Sequence, residues 1–364
     1  MAICKVLLTE VSPGMELGND IFDNNGKLAI PYGTVLTPAL IEKLEDMRVV
    51  VVKIVVKDSK EDVLSRGGKD AQNEQPGYFE KLRDSSEFRE LEETFNASVN
   101  ILKQQLNDVV KKNVVDIREM LVGVKNIIKS NHTGSSMLDV LNCMRDYDDL
   151  TYVHSMNVSL ICNMMAGWLH YSEEDTDLLT AAGILHDIGK VEIPKEIICK
   201  PGRLTDEEYK IVKSHPQLGY RILKDINIDE RIKRASLQHH ERYDGNGYPN
   251  RLRGEQMDDF SRILAIADVY DAMTANRVYR EGLCPFEVIE HFQKDISVYD
   301  PRYLLIFLQK TAETYVRNKV LLSDGREGEI LMINKTELGS PVVMCSGEVV
   351  DLSKKRDIKI VKLL

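Results

Sequence analysis

The chain lacks several features that would each assign it early. Its six cysteines, Cys4, Cys143, Cys162, Cys199, Cys284 and Cys345, include no CxxC pair. Cysteines scattered singly speak against a zinc ribbon or a disulfide frame and for reduced thiols. Nowhere do eighteen apolar residues run together, so no membrane-spanning helix is expected. The opening MAICKVLLTEV turns polar too soon for a secretion signal. No Lys/Arg block occurs either, and 48 basic against 58 acidic residues leave a formal charge of −10. A polymeric nucleic acid is therefore a poor partner, whereas a small phosphate ligand needs only a few local cations. These absences lead to the expectation of a soluble, cytoplasmic protein with no membrane partner.

What the sequence does hold is enough for a large core. The apolar fraction is 43% over 364 residues, a length that suggests two or three domains. In the first sixty residues, turn residues at Pro13-Gly14, Asn24-Asn25-Gly26 and Pro31-Tyr32-Gly33 separate short apolar runs. A helix starting at Thr37 and a β-branched strand over 49–56 follow. Residues 57–77 are polar and carry Gly67-Gly68, which reads as a linker. From 79 onward apolar residues recur at helical spacing, with Leu102, Leu106, Val109 and Val110 on one face. After Lys319 the period becomes two, through Val320-Leu321-Leu322, residues 329–333, Val342-Val343-Met344 and residues 358–361. The expected organisation is a small N-terminal α/β module over 1–60, a linker over 61–78, a helical domain over 79–318 and a small C-terminal β module over 319–364.

Seven residues of the helical part are strong metal-ligand types: His154, the pair His186-Asp187, His215, the pair His239-His240, and Asp268. A lone histidine is more often a hydrogen-bonded core residue than a ligand. Two adjacent pairs in one helical domain make that bland explanation a poor one. Imidazole with carboxylate suits Fe, Mn, Zn or Ni better than Mg or Ca. Seven candidates exceed what a single ion can use, so two divalent ions bridged by Asp187 are expected. The remaining histidines, His132, His170 and His291, read as surface or structural.

Three segments then carry a resemblance. Ile184-Leu185-His186-Asp187-Ile188-Gly189-Lys190, the run from His239-His240-Glu241 to Gly247-Tyr248-Pro249, and Ala267-Asp268-Val269-Tyr270-Asp271 are similar to the signatures of HD-GYP phosphodiesterases. Residues 151–155, 200–205 and 215–219 add further matches, in family order over about 140–315. The resemblance implies a mainly α fold: a helical HD-type catalytic core flanked by the two small modules. It implies hydrolysis of cyclic di-GMP to pGpG, and on to GMP, with another cyclic dinucleotide such as cyclic GMP-AMP, or a non-catalytic sensor, as alternatives. By the same resemblance His154, His186, Asp187 and Asp268 would hold one ion and Asp187, His215, His239 and His240 the other, with Fe or Mn expected. Lys190 would act at the scissile phosphate, and Tyr248, Arg277 and Arg280 would contact substrate; a homodimer is left open. Some family members hold a third ion through a glutamate four residues before the first histidine. Leu150 stands there in this chain, so a dinuclear centre is expected.

Overall fold

Short β-branched runs between turn residues make the first elements of the computed structural model. It describes residues 2–7, 11, 13–18, 21–22, 28–46, 51–56, 78–144, 150–198, 200, 204–275 and 282–364. Strands β1 (Ala2–Leu7) and β2 (Glu16–Leu17), the pair β3 (Ile21–Phe22) and β4 (Leu28–Ile30), helix α1 (Pro38–Asp46) and strand β5 (Val51–Val56) come first. β5 lies between β1 and β2, antiparallel to both. This segment has its own core of Leu17, Ile30, Leu36, Leu44, Val52 and Ile54. By contacts the chain divides into two units, 1–74 with 195–209, and 75–194 with 210–364. The predicted linker falls almost wholly outside the described residues.

The second unit begins with α2 (Tyr78–Asp84), α3 (Ser86–Lys112), α4 (Ile117–Ser130) and α5 (Met137–Cys143). Helical spacing continues without a breaker from α3 into α4, yet the helix stops. Asn113 takes a left-handed φ of 54°, and Asp116 then caps α4 by accepting the amides of Arg118 and Glu119. Asparagine is the non-glycine residue best suited to that conformation.

Next in chain order come α6 (Leu150–Trp168), α7 (Glu173–Leu185), a 3-10 turn (Ile188–Glu192), α8 (Lys195–Ile198) and α9 (Asp206–Val212), of which α8 and the start of α9 belong to the first unit. Then follow α10 (His215–Leu223), α11 (Glu230–Gln238) and α12 (Asp259–Thr274). Along α7 and α12 buried residues appear on nearly every side, as in helices at the centre of a bundle. α6 and α7 approach closely at Gly183, where any Cβ would press on the backbone of Ser159. Gly189 in the 3-10 turn is tighter still, because a Cβ there would collide with the His215 carbonyl.

Helices α13 (Pro285–Lys294) and α14 (Pro301–Thr314) lead into five strands: β6 (Lys319–Leu322), β7 (Glu327–Met332), β8 (Val342–Cys345), β9 (Glu348–Asp351) and β10 (Ile360–Leu363). They form an antiparallel sheet in the order β10-β6-β7-β8-β9. Alternate residues Val320, Leu322, Ile330, Val343 and Cys345 are buried, the period-two pattern of a sheet with one covered face. They join the core cluster that contains Phe286, Phe307 and Tyr315 of the helices. The architecture is thus mainly α, with a small strand-rich N-terminal segment and a C-terminal β sheet, as the sequence led one to expect. Strand β9 was not foreseen.

Candidate metal centre

Five helix ends or helix faces meet at one point. His154 stands one turn into α6, His186 and Asp187 follow the last residue of α7, and His215 opens α10. His239 and His240 follow α11, and Asp268 lies within α12. All seven residues singled out as ligand types are gathered here. Three sets have ligand atoms within 4.8 Å of one another: His215, His239 and His240; His154, His186 and Asp268; and His186, Asp187 and His239. Side-chain exposure rises from 0% at His186 to 26% at His240, so the centre has a closed floor and opens on the His240 side.

The chemistry of the floor is decided by what each imidazole does with its Nδ1. That atom faces the carbonyl of Gly183 at 2.7 Å in His186, of Val212 at 2.7 Å in His215, and of Ser236 at 2.9 Å in His239. A carbonyl oxygen only accepts, so in each ring Nδ1 carries the hydrogen and Nε2 of the neutral ring offers a lone pair. These lone pairs converge: the Nε2 atoms of His215 and His239 are 3.0 Å apart. Burial, and then the neighbouring imidazoles, push the pKa of His239 well below its usual value, which keeps that ring neutral.

Asp187 sits between the lone pairs. Its Oδ1 is 3.2 Å from His215 Nε2 and 3.7 Å from His239 Nε2, while Oδ2 is 3.3 Å from His186 Nε2 and 3.7 Å from His154 Nε2. Burial favours the neutral acid, but the charge of Lys190 and the contact with His186 outweigh it and hold Asp187 well below the usual carboxylate range. Among the described residues, His186 Nε2 and Asp187 Oδ1 are buried without a hydrogen-bond partner. Facing lone pairs and an anionic oxygen in a site closed to water repel one another unless a cation lies among them. The donor set therefore fits metal ions, and the chain has a His/Asp cluster able to hold them.

His154 differs from the floor histidines, because its Nδ1 meets the Asp271 carboxylate at 2.7 Å and its Nε2 lies 3.0 Å from Asp268. Burial alone would lower its pKa; hydrogen bonds to Asp268 and Asp271 overcome that and raise it to about 10. His240 has no such pair of carboxylates, and burial brings it down to about 4.

The remaining predicted residues divide. Lys190 reaches the Asp187 carboxylate from the 3-10 turn and stays partly exposed. Tyr248 stacks on His240 with ring centroids 4.8 Å apart, and the Lys213 ammonium lies over its ring at 4.3 Å. Arg277 and Arg280 lie outside the described residues, as does position 149. Sequence reasoning missed Asp271 and Glu241. Glu241 is buried and accepts the amides of Asn250 at 2.6 Å and Leu252 at 3.0 Å, which fixes the far side of the loop bearing Tyr248. Asp271 could have been found from its place one helical turn after Asp268. Glu241 gave no signal beyond following the histidine pair.

Comparison with known proteins agrees with this geometry. Residues 127–303 match the family model described as HD domain. A cyclic di-GMP phosphodiesterase of Pseudomonas aeruginosa is 36% identical over 201 residues, 55% of this chain and 49% of that protein. A cyclic di-GMP phosphodiesterase response regulator of Xanthomonas campestris pv. campestris is 30% identical over 221 residues, 59% of this chain and 57% of its own length. A 3'3'-cGAMP-specific phosphodiesterase of Vibrio cholerae is 40% identical over 133 residues, 36% of this chain and 26% of that protein. The chain spans about half the length of the first two. Among the described residues no helix is long and apolar enough to cross a membrane. All seven residues of the histidine–aspartate cluster lie within the segment, 127–303, that is similar to the HD domain family.

Proposed function

We propose that this chain hydrolyses a cyclic dinucleotide, cyclic di-GMP first, giving linear pGpG, and GMP where the product is cut again. The observation that carries the reading is Asp187, which offers one carboxylate oxygen to each group of histidine nitrogens. His154, His186, Asp187 and Asp268 would hold one divalent ion, and Asp187, His215, His239 and His240 a second, Fe or Mn. Held there, such a pair supplies an acidified water and Lewis-acid polarisation of the phosphodiester.

The residues of the chain do the rest. Water adds across the P–O3′ bond: its oxygen joins phosphorus, and the 3′-oxygen departs as a hydroxyl. Lys190, beside Asp187 at the partly exposed edge, delivers the proton to that oxygen. General-acid help of this kind is worth about 10²–10⁴-fold. Tyr248 forms a wall of the opening next to His240. Arg277 and Arg280 are assigned to substrate from the sequence, as cations able to stack on guanine or to clamp a phosphate. In this reading the catalytic domain runs over 79–318.

The name of the Vibrio cholerae relative favours a second substrate, 3'3'-cGAMP, which shares the phosphodiesters and one guanine. Metal-reconstituted protein incubated with a panel of cyclic dinucleotides, with products separated by chromatography, tests both. Cyclic di-GMP is expected to be linearised fastest and chelator to stop the reaction. Binding without turnover under any metal would replace the enzyme by a sensor.

A further inference from the structure

The two halves of the centre are not built alike. The His215–His239–His240 set contains no carboxylate of its own: it borrows Asp187 Oδ1, 3.2 Å from His215 Nε2, and has Asp268 Oδ2 3.7 Å from His240 Nδ1. The His154–His186–Asp268 set contains Asp268, faces Asp187 Oδ2, and has Asp271 behind His154. Asp271 is held from two sides: His154 Nδ1–H donates to its Oδ2 at 2.7 Å, and Asn157 Nδ2–H donates to its Oδ1 at 3.0 Å. Asp271 is 5% exposed and Asn157 3%, so water does not compete for these bonds.

Helix geometry explains the quartet. Asn157 follows His154 by three residues on α6, and Asp271 follows Asp268 by three on α12. Each helix therefore presents a ligand type and a supporting residue one turn apart on one face. A carboxylate that accepts the Nδ1 hydrogen of a histidine fixes its tautomer and orientation and makes Nε2 more basic, which a backbone carbonyl does less strongly. Of the site histidines with a hydrogen-bonded Nδ1, His154 alone has a carboxylate there among the described residues.

We infer that Asp271 is a positioning residue that makes the centre unequal, giving the His154–His186–Asp268 pocket the tighter hold on a divalent ion and leaving the all-histidine pocket to empty first. The inference rests on the metal reading above. The competing explanation is that His154, Asp271 and Asn157 form a core hydrogen-bond network joining α6 to α12, with no bearing on metal.

Calorimetric titration of metal-stripped protein with Mn²⁺ separates the two. Wild type is expected to show two classes of site. Asp271→Asn removes the charge but can keep the hydrogen bonds, because among the described residues Asn157 Oδ1 has no hydrogen-bond partner and its amide can turn over to face the new NH₂ group. In this variant the tighter class should weaken by about 10–100-fold while the weaker class holds its affinity. Should Asp271→Asn fail to fold by circular dichroism, Asn157→Ala, which frees the carboxylate to rotate, should weaken the same class by a smaller factor. Loss from the weaker class, equal loss from both, or no loss in a folded variant overturns the inference. Wild-type protein that takes up no ion overturns the metal reading itself, so the two failures are told apart.

Discussion

The floor and the rim of the centre use histidine and its neighbours in opposite ways. On the floor, His186, His215 and His239 are sealed from water and each spends its Nδ1 hydrogen on a backbone carbonyl. Their positions follow from helix ends and cannot drift without moving main chain. At the rim, His240 is partly exposed, its Nδ1 lies 3.7 Å from Asp268, and its ring is backed by Tyr248 instead of by a carbonyl. Lys190 and Lys213 bring flexible cationic stems to the same edge. The difference teaches what each layer is suited to do. A rigid array of lone pairs suits ions that need fixed geometry, and mobile charges suit a ligand that must enter and leave.

The comparison can be broken at its strongest point first. Asp187→Ala removes both facing oxygens from the floor, so metal content by mass spectrometry and turnover should fall together to background. A variant that keeps its full metal complement would show that Asp187 does not bridge. Next in size is Lys190→Ala at the rim, which should retain metal yet lose about 10²–10⁴-fold in kcat. If metal is lost as well, Lys190 belongs to the floor through its contact with Asp187, and the division into two layers fails. The smallest effect is expected at Glu241→Gln, which leaves one acceptor oxygen for the two amides of the Tyr248 loop. A hydrogen bond to a charged group is worth about 1.5–3 kcal/mol, and this cost falls mainly on the order of the loop, since the glutamine oxygen keeps one of the two bonds. KM should therefore rise by about tenfold or less, with kcat and metal content steady. A fall in kcat at constant KM would place the loop in the chemical step.

These layers were not equally legible in the sequence. Four of the seven ligand types could be named because adjacency marks them, the His-Asp and His-His pairs being conspicuous in a chain with eight histidines. His154, His215 and Asp268 stand singly and were named as ligand types in the same helical stretch. The carbonyl partners of the floor could not be named, because which carbonyl an Nδ1 meets depends on a rotamer at a helix terminus and not on residue identity. Asp271 was within reach, since an aspartate one turn after a ligand type shares its helix face, but i,i+3 carboxylates on helices are common and mostly solvated. The sheet was read from its period of two, while β9 was missed because Val349-Val350 is only two apolar residues between the acids Glu348 and Asp351. The α3–α4 break shows the reverse case. There the apolar spacing runs on, and the stop comes from one left-handed asparagine and one aspartate cap.

The C-terminal strands have a consequence for how the molecule can be divided. Val320, Leu322, Ile330, Val343, Val350 and Ile360 belong to the same buried cluster as Phe286, Phe307 and Tyr315. A boundary drawn at 318 marks a change of secondary structure, but the oil-filled interior runs straight through it. Trimming the gene there would remove β10 from beside α13 and the buried strand residues from the cluster that holds Phe286, Phe307 and Tyr315. A fragment that ends at 318 is therefore expected to lose part of the apolar interior that α13 and α14 share with the sheet, and with it thermal stability.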